Sequence, residues 1–234
     1  MLSNASKFRR TTAGLCLILA PLLLLISNLL QTRASVSTEA LLGAITERAV
    51  ANEISFAFAV YGFTLMVPAV IGIVHLLRHR SIALGHVGGT FLIVGMVSFA
   101  FVAGTESILY IAGADPTVNR DAVIALNERI GASIVYNIIN LTEVFGYFLG
   151  TILLAIALFR AKVVSPLFPI LLAAGIIARF TLASFYTGVI FSDALYFTAF
   201  ASIGLFVLRQ SDEEWERPPE HGPTGGGAFS QPTA

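Results

Sequence analysis

The chain has 234 residues, of which 56% are hydrophobic and only 12% charged, with a mean hydropathy of +0.83. A soluble domain carries about 25% charged residues, so an ordinary water-soluble fold is excluded. Fourteen basic residues balance fourteen acidic ones and Cys16 is the sole cysteine, which also removes nucleic-acid binding and a disulfide scaffold.

The apolar residues fall into six runs: 13–31, 54–77, 84–112, 131–159, 166–187 and 190–208. About 20 apolar residues in a helix cross a hydrocarbon core of about 30 Å. The expected fold class is therefore all-α, a polytopic transmembrane bundle of six helices over 13–208, between a basic N-terminus (1–12) and a tail (209–234). Lys7, Arg9 and Arg10 precede the first run as in a signal peptide. That run is longer than the usual apolar region of about 7–15 residues and no small-x-small cleavage site follows it, so a retained helix is expected. The third and fourth runs exceed a straight crossing and should tilt or project. Pro21 and Pro68 should kink their helices, whereas Pro166 and Pro169 suit a first turn.

Orientation follows from the Lys/Arg asymmetry. With both termini inside, the cytoplasmic segments carry Lys7, Arg9, Arg10, Arg78, Arg80, Arg160, Lys162, Arg209 and Arg217. The outer segments carry Arg33, Arg48, Arg120 and Arg129. This predicts an N-in, C-in protein of the plasma (inner) membrane. Two outer loops remain. Residues 35–52 open on Ser37-Thr38-Glu39, then place Leu42, Ile45 and Ala49 on one face; residues 115–130 carry Val123, Ile124 and Leu126 among polar neighbours. Each reads either as a short interfacial helix or as a plain connector. From about residue 211, Asp212, Glu213, Glu214 and Glu216 surround Trp215, and Pro218-Pro219 and Gly225-Gly226-Gly227 follow. Such composition predicts a disordered, solvated tail.

Ionisable groups at membrane depth are costly and tend to be functional. Glu143 in the fourth run and Arg179 in the fifth are expected near mid-depth on helices of opposite direction, with Glu106 nearer the outer mouth. Tyr136, Asn140, Glu143 and Tyr147 recur at i, i+4, i+7 and i+11, with Asn137 beside them, a polar stripe that must face the bundle. Arg179 and Tyr186 obey the same spacing on the fifth run. Gly146 and Gly150 form a small-xxx-small pair that permits close helix approach. Two readings stay open: a structural Glu143–Arg179 ion pair, or an outward polar cavity that binds a ligand or proton, with Glu53 and Asp193 at its rim.

Other chemistry is not supported. His75, His79 and His86 cluster at one end of the second and third runs rather than on facing helices, so no metal or haem is expected. The sequence holds no phosphate-binding glycine loop, His-Glu-x-x-His pair or nucleophile elbow.

The run Val67–Arg80 (VPAVIGIVHLLRHR), the glycine-bearing third span and the Leu158-Phe159-Arg160 close of the fourth carry a resemblance over about residues 10–210. On these the chain resembles uncharacterised bacterial six-span integral membrane proteins of actinobacterial type. The resemblance implies the six-helix layout and brings no activity, cofactor or catalytic residue. The expected role is non-catalytic: a sensor, an accessory protein or a complex-stabilising subunit. Its partners would be the lipid bilayer and either further copies or a larger membrane complex. The alternative is a small outward-opening transporter using Glu143 and Arg179.

Overall fold

The computed structural model describes residues 2–32, 44–115 and 117–216, with side chains from residue 5 onward. The expected helix start at Ser37, the basic residues Arg33 and Arg217 and the Gly/Pro-rich end of the tail lie outside the described residues. Within them the regular structure is helical: α1 (Leu2–Leu30), α2 (Ala49–Leu77), α3 (Ile82–Ala114), α4 (Arg120–Gly131), α5 (Ile134–Ala161), α6 (Leu167–Thr181), α7 (Tyr186–Arg209) and the short α8 (Asp212–Glu216). Residues 44–47 are also helical.

Five of these helices, α1, α2, α3, α5 and α7, are long and apolar enough to cross a membrane. The fifth run departs from expectation. It ends at Thr181, after fifteen residues, or about 22 Å at 1.5 Å per residue. The chain turns over Leu182–Phe185, and α7 begins at Tyr186. A Cβ at Gly188 would sit 2.6 Å from the Leu182 carbonyl oxygen, so the glycine lets the turn fold directly onto the next helix. Apolar side chains continue through this turn, which is why composition alone runs it into one span.

Six helices form a closed ring in the order α1, α2, α3, α5, α6, α7 and back to α1. Two ends of the ring can be told apart by hydrogen bonds. At the termini end, Arg10 meets Asp212 and Arg80 donates to the Ala161 carbonyl. At the loop end, Tyr186 donates to the Leu29 carbonyl and Tyr110 to that of Thr32. Local signals set the helix limits. Asn119 and Ser133 accept backbone N–H bonds at the starts of α4 and α5, meeting donors that a helix start leaves unpaired. α5 stops where Lys162 turns left-handed (φ 52°) and its N–H bonds the Leu158 carbonyl.

The seams are made by small residues. On α5, Gly146 and Gly150 meet Gly95, Leu92 and Phe91 of α3 backbone to backbone. Gly14 of α1 and Gly204 of α7 do the same at the ring's closing seam. The termini half of the ring is filled by apolar side chains, among them Leu17, Met66, Ile73, Leu92, Leu158, Leu172 and Ile203.

The acidic segment after Arg209 is a correction to the expected solvated tail. Residues 212–216 fold as α8, and Trp215 is only 3% exposed. Its ring stacks on His75 at 4.4 Å, and Arg78 donates to its carbonyl at 2.7 Å. Glu216 accepts from Ser6 and Arg9, and Arg10 also donates to the Leu208 and Gln210 carbonyls at the end of α7. The negative charge that suggested solvation is instead matched by the basic N-terminus. Composition alone does not register that match, because the partners lie about 200 residues apart.

The Ser6 hydroxyl and then the Arg9 guanidinium hold the Glu216 carboxyl below its ordinary range. A lowered folded-state pKa contributes stability above the unfolded value, and that contribution is lost as pH falls through the folded one. Acidification below the ordinary carboxylate range should therefore loosen α8. Trp215 is the only tryptophan, so its emission should shift to the red on release, and Ser6→Ala should move that transition to higher pH. An emission maximum unchanged down to the pH of global unfolding would contradict this.

Candidate functional site: a polar chamber within the helix ring

The loop-end half of the ring is not filled. It encloses a chamber of about 210 Å³ walled by five helices. α1 contributes Ser27, Asn28 and Gln31; α2 gives Phe56 and Phe63; α3 gives Phe99 and Glu106; α5 gives Glu143; and α6 gives Arg179. The chamber exists because α1 turns polar over its last turns and because α5 carries its one buried acid opposite them. Two carboxylates and one guanidinium share this small space.

Glu143 is 7% exposed, and its Oε2 has no hydrogen-bond partner among the described residues. A buried, ionisable oxygen without a partner is costly, so this atom is held in place by the surrounding ring rather than by its own bonds. Glu106 and Arg179 are close enough to act on it electrostatically.

The expected Glu143–Arg179 ion pair is not what forms. Arg179 lies in the last turn of α6, not at mid-helix, and its Nη1 meets Asp193 Oδ1 of α7 at 3.5 Å. Because α6 ends early, Arg179 stands near the turn, where the returning helix presents Asp193 a short distance along. Asp193, expected at an outer rim, is 9% exposed and buried at this α6–α7 contact. A cation in the last turn also complements the helix dipole.

The other expected residues divide. Tyr147 lies inside the ring, 5.5 Å from Phe99 and 5.4 Å from Tyr196 by ring centroid. With the stacked Phe63–Phe99 pair and Phe200 it builds an aromatic layer across α2, α3, α5 and α7, and Tyr196 donates to Thr151 within it. This layer is the chamber's floor, between the polar half and the apolar core. Tyr136 and Asn140 are half-buried on the loop-end side of Glu143 and outside the chamber lining. Asn137 is exposed and donates to the Gly131 and Ser133 carbonyls, so it holds the α4–α5 turn. Tyr186 is exposed and ties α7 to the end of α1. Glu53 is exposed on a separate groove between α2 and α3.

Sequence reading missed the contribution of α1. Ser27, Asn28 and Gln31, three polar residues within five positions, were a signal that the end of this helix cannot face lipid. Ser27 and Ser55 bond across the α1–α2 seam at 3.2 Å, and Asn52 accepts from the Thr32 N–H at 2.8 Å. His75, from the expected histidine cluster, is engaged with Trp215. No known family, no curated protein and no solved structure matches the chain.

Proposed function

We propose that this is a six-span plasma-membrane protein with both termini cytoplasmic, and that its outer half is a binding chamber for a small solute, used for sensing or as an accessory function rather than for catalysis. Three observations support the topology. N- and C-terminal residues meet at one end, so the number of crossings is even. With five long helices, the short α6 supplies the sixth, and the bilayer accommodates its length by local thinning. The termini end also carries Lys7, Arg9, Arg10, Arg78, Arg80, Arg160 and Lys162, as the positive-inside rule requires of a cytoplasmic face. On this reading α4 and the helical residues 44–47, joined by Ile45 and Val123, cap the outer side.

The observation that carries the binding role is the one-ended chamber. Ser27, Asn28, Gln31, Glu106, Glu143 and Arg179 line it, and its Phe63 and Phe99 walls pack on into the Tyr147–Tyr196 aromatic layer. A transporter would have to part that layer in each cycle, which places transport second to reception of a solute.

Accessibility tests this directly. Gln31→Cys should react with a membrane-impermeant maleimide on intact cells, whereas the wild-type protein, whose Cys16 is buried midway along α1, should not. Reaction of Gln31→Cys only after permeabilisation would refute the outward chamber.

A further inference from the structure

We infer that the seam between α1 and α2, at the termini end of the ring, holds an anionic phospholipid, with its phosphate on Arg9 and one acyl chain in the slot beneath. The inference is independent of the chamber and requires only that α1 and α2 cross the membrane.

The slot has a volume of about 180 Å³. Phe8, Thr12 and Ala13 wall it on α1, and Pro68, Ile71 and Gly72 on α2. Its floor is a close helix contact, where a Cβ at Gly72 would lie 2.6 Å from that of Ala13. Phe8 and Ile71 are 70% and 56% exposed, so the slot opens away from the ring's interior, toward lipid. Arg9, His75 and Trp215 stand at its mouth. From His75 to Pro68 it runs about 10 Å along α2, at 1.5 Å per residue. No Asp, Glu, Lys or Arg follows Arg10 on α1, and none lies between Glu53 and Arg78 on the α2 side. The mouth therefore lies where the apolar part of both helices begins, at the depth of lipid headgroups.

Charge and size select the occupant. Among the described residues Arg9 spends only its Nη2 on the protein, meeting Glu216 at 2.7 Å in an exposed pair. Exposed pairs are weak, and a guanidinium carries five donors in a fork that matches phosphate. A headgroup thus binds beside Glu216 or in its place. Basic residues at this end outnumber the acids of α8, and basic pockets between helix ends attract anionic headgroups. The apolar part takes the chain. A water occupies about 30 Å³, so the slot equals about six waters, room for a stretch of acyl chain. A partner helix, about 10 Å across with its side chains, does not fit.

The test uses Trp215, the only tryptophan, which lines the slot. The full chain is reconstituted in phosphatidylcholine nanodiscs. Each preparation contains phosphatidylglycerol or phosphatidylcholine with a nitroxide at the fifth carbon of one acyl chain, a short-range quencher of indole emission. Labelled phosphatidylglycerol should half-quench Trp215 at about a fivefold lower mole fraction than labelled phosphatidylcholine, the gain expected from one Arg at a membrane surface. Arg9→Gln should remove this preference with the emission maximum unchanged, because Ser6–Glu216, Arg10–Asp212 and the His75 stack still hold α8. Arg80→Gln removes the same charge beside α5 and should keep the preference. Equal quenching by the two lipids overturns the inference, as does quenching by neither, which a second copy in the slot would give. A preference that survives Arg9→Gln, or that Arg80→Gln abolishes equally, overturns it as well. The wild-type comparison needs no variant, so displacement of α8 in Arg9→Gln does not shield the inference.

Discussion

Gly150→Leu is expected to abolish recovery of folded protein from detergent, and Gly150→Ala to lower its melting temperature clearly. A Cβ at Gly150 would lie 2.7 Å from the Leu92 Cα and still nearer its backbone nitrogen. One turn away, a Cβ at Gly146 would lie 2.7 Å from the Phe91 carbonyl oxygen, and one at Gly95 2.5 Å from the Tyr147 nitrogen. The obstacles are backbone atoms, so no side chain can rotate clear and α3 must move away from α5. Overpacking a tight core costs about 1–3 kcal/mol and sometimes more. In lipid the loss is compounded, since close van der Waals packing is itself the main force holding helices together. Gly104 is the internal control. It lies on α3, the other helix of the seam, with nothing within 4 Å of a Cβ, so Gly104→Ala should be neutral, or stabilising by up to about 1 kcal/mol from helix propensity. Equal melting temperatures for Gly150→Leu and Gly104→Ala would show that the seam is not as close as described.

Asp193→Ala is expected to be nearly as damaging, and for a different reason. It strands Arg179 in a largely buried setting, where removing one partner of an ion pair costs about 3–5 kcal/mol. Arg179→Leu should be damaging too, since it removes the guanidinium that meets Asp193 Oδ1 at 3.5 Å. The double variant Arg179→Leu/Asp193→Leu should recover much of the loss, because replacing a buried pair by apolar residues is often neutral or stabilising. Glu143→Gln should fold, since its Oε2 carries no bond to lose. Size-exclusion yield and melting temperature across this set assign the pair. Recovery by Arg179→Leu/Glu143→Gln in place of the Asp193 double would reinstate the pairing that sequence alone suggests.

That pairing shows where a sequence reading of a membrane protein stops. The five long helices were legible, because a span needs only a sustained apolar run and the runs are there. The close α3–α5 seam was legible in part from Gly146 and Gly150, whose spacing is local. The end of α6 was not. Leu182 and Phe185 are as apolar as the span before them, and what ends the helix is a turn closing onto Gly188, a contact between residues that hydropathy does not order. Depth estimates built on an uninterrupted span therefore put Arg179 one helix partner away from its true one. Glu143 and Glu106 were found because an acid inside an apolar run stands out by itself. The α1 wall was passed over because Ser27, Asn28 and Gln31 carry no charge, and the docking of Trp215 depends on partners at the opposite end of the chain.

The ring's closure between α1 and α7 bears on how the protein is made. α1 lies against α7, more than 150 residues later in the chain, with Gly14 and Gly204 in backbone contact. Until α7 emerges, one flank of α1 therefore has no protein neighbour, and the nascent chain is an open sheet of helices in the bilayer. Closure therefore waits for α7, and α8 fastens across that same seam through Ser6–Glu216 and Arg10–Asp212. A chain halted before Arg209 would expose a small-residue flank of α1 within the membrane, the kind of surface by which quality-control proteases and chaperones tell an unfinished protein from a finished one.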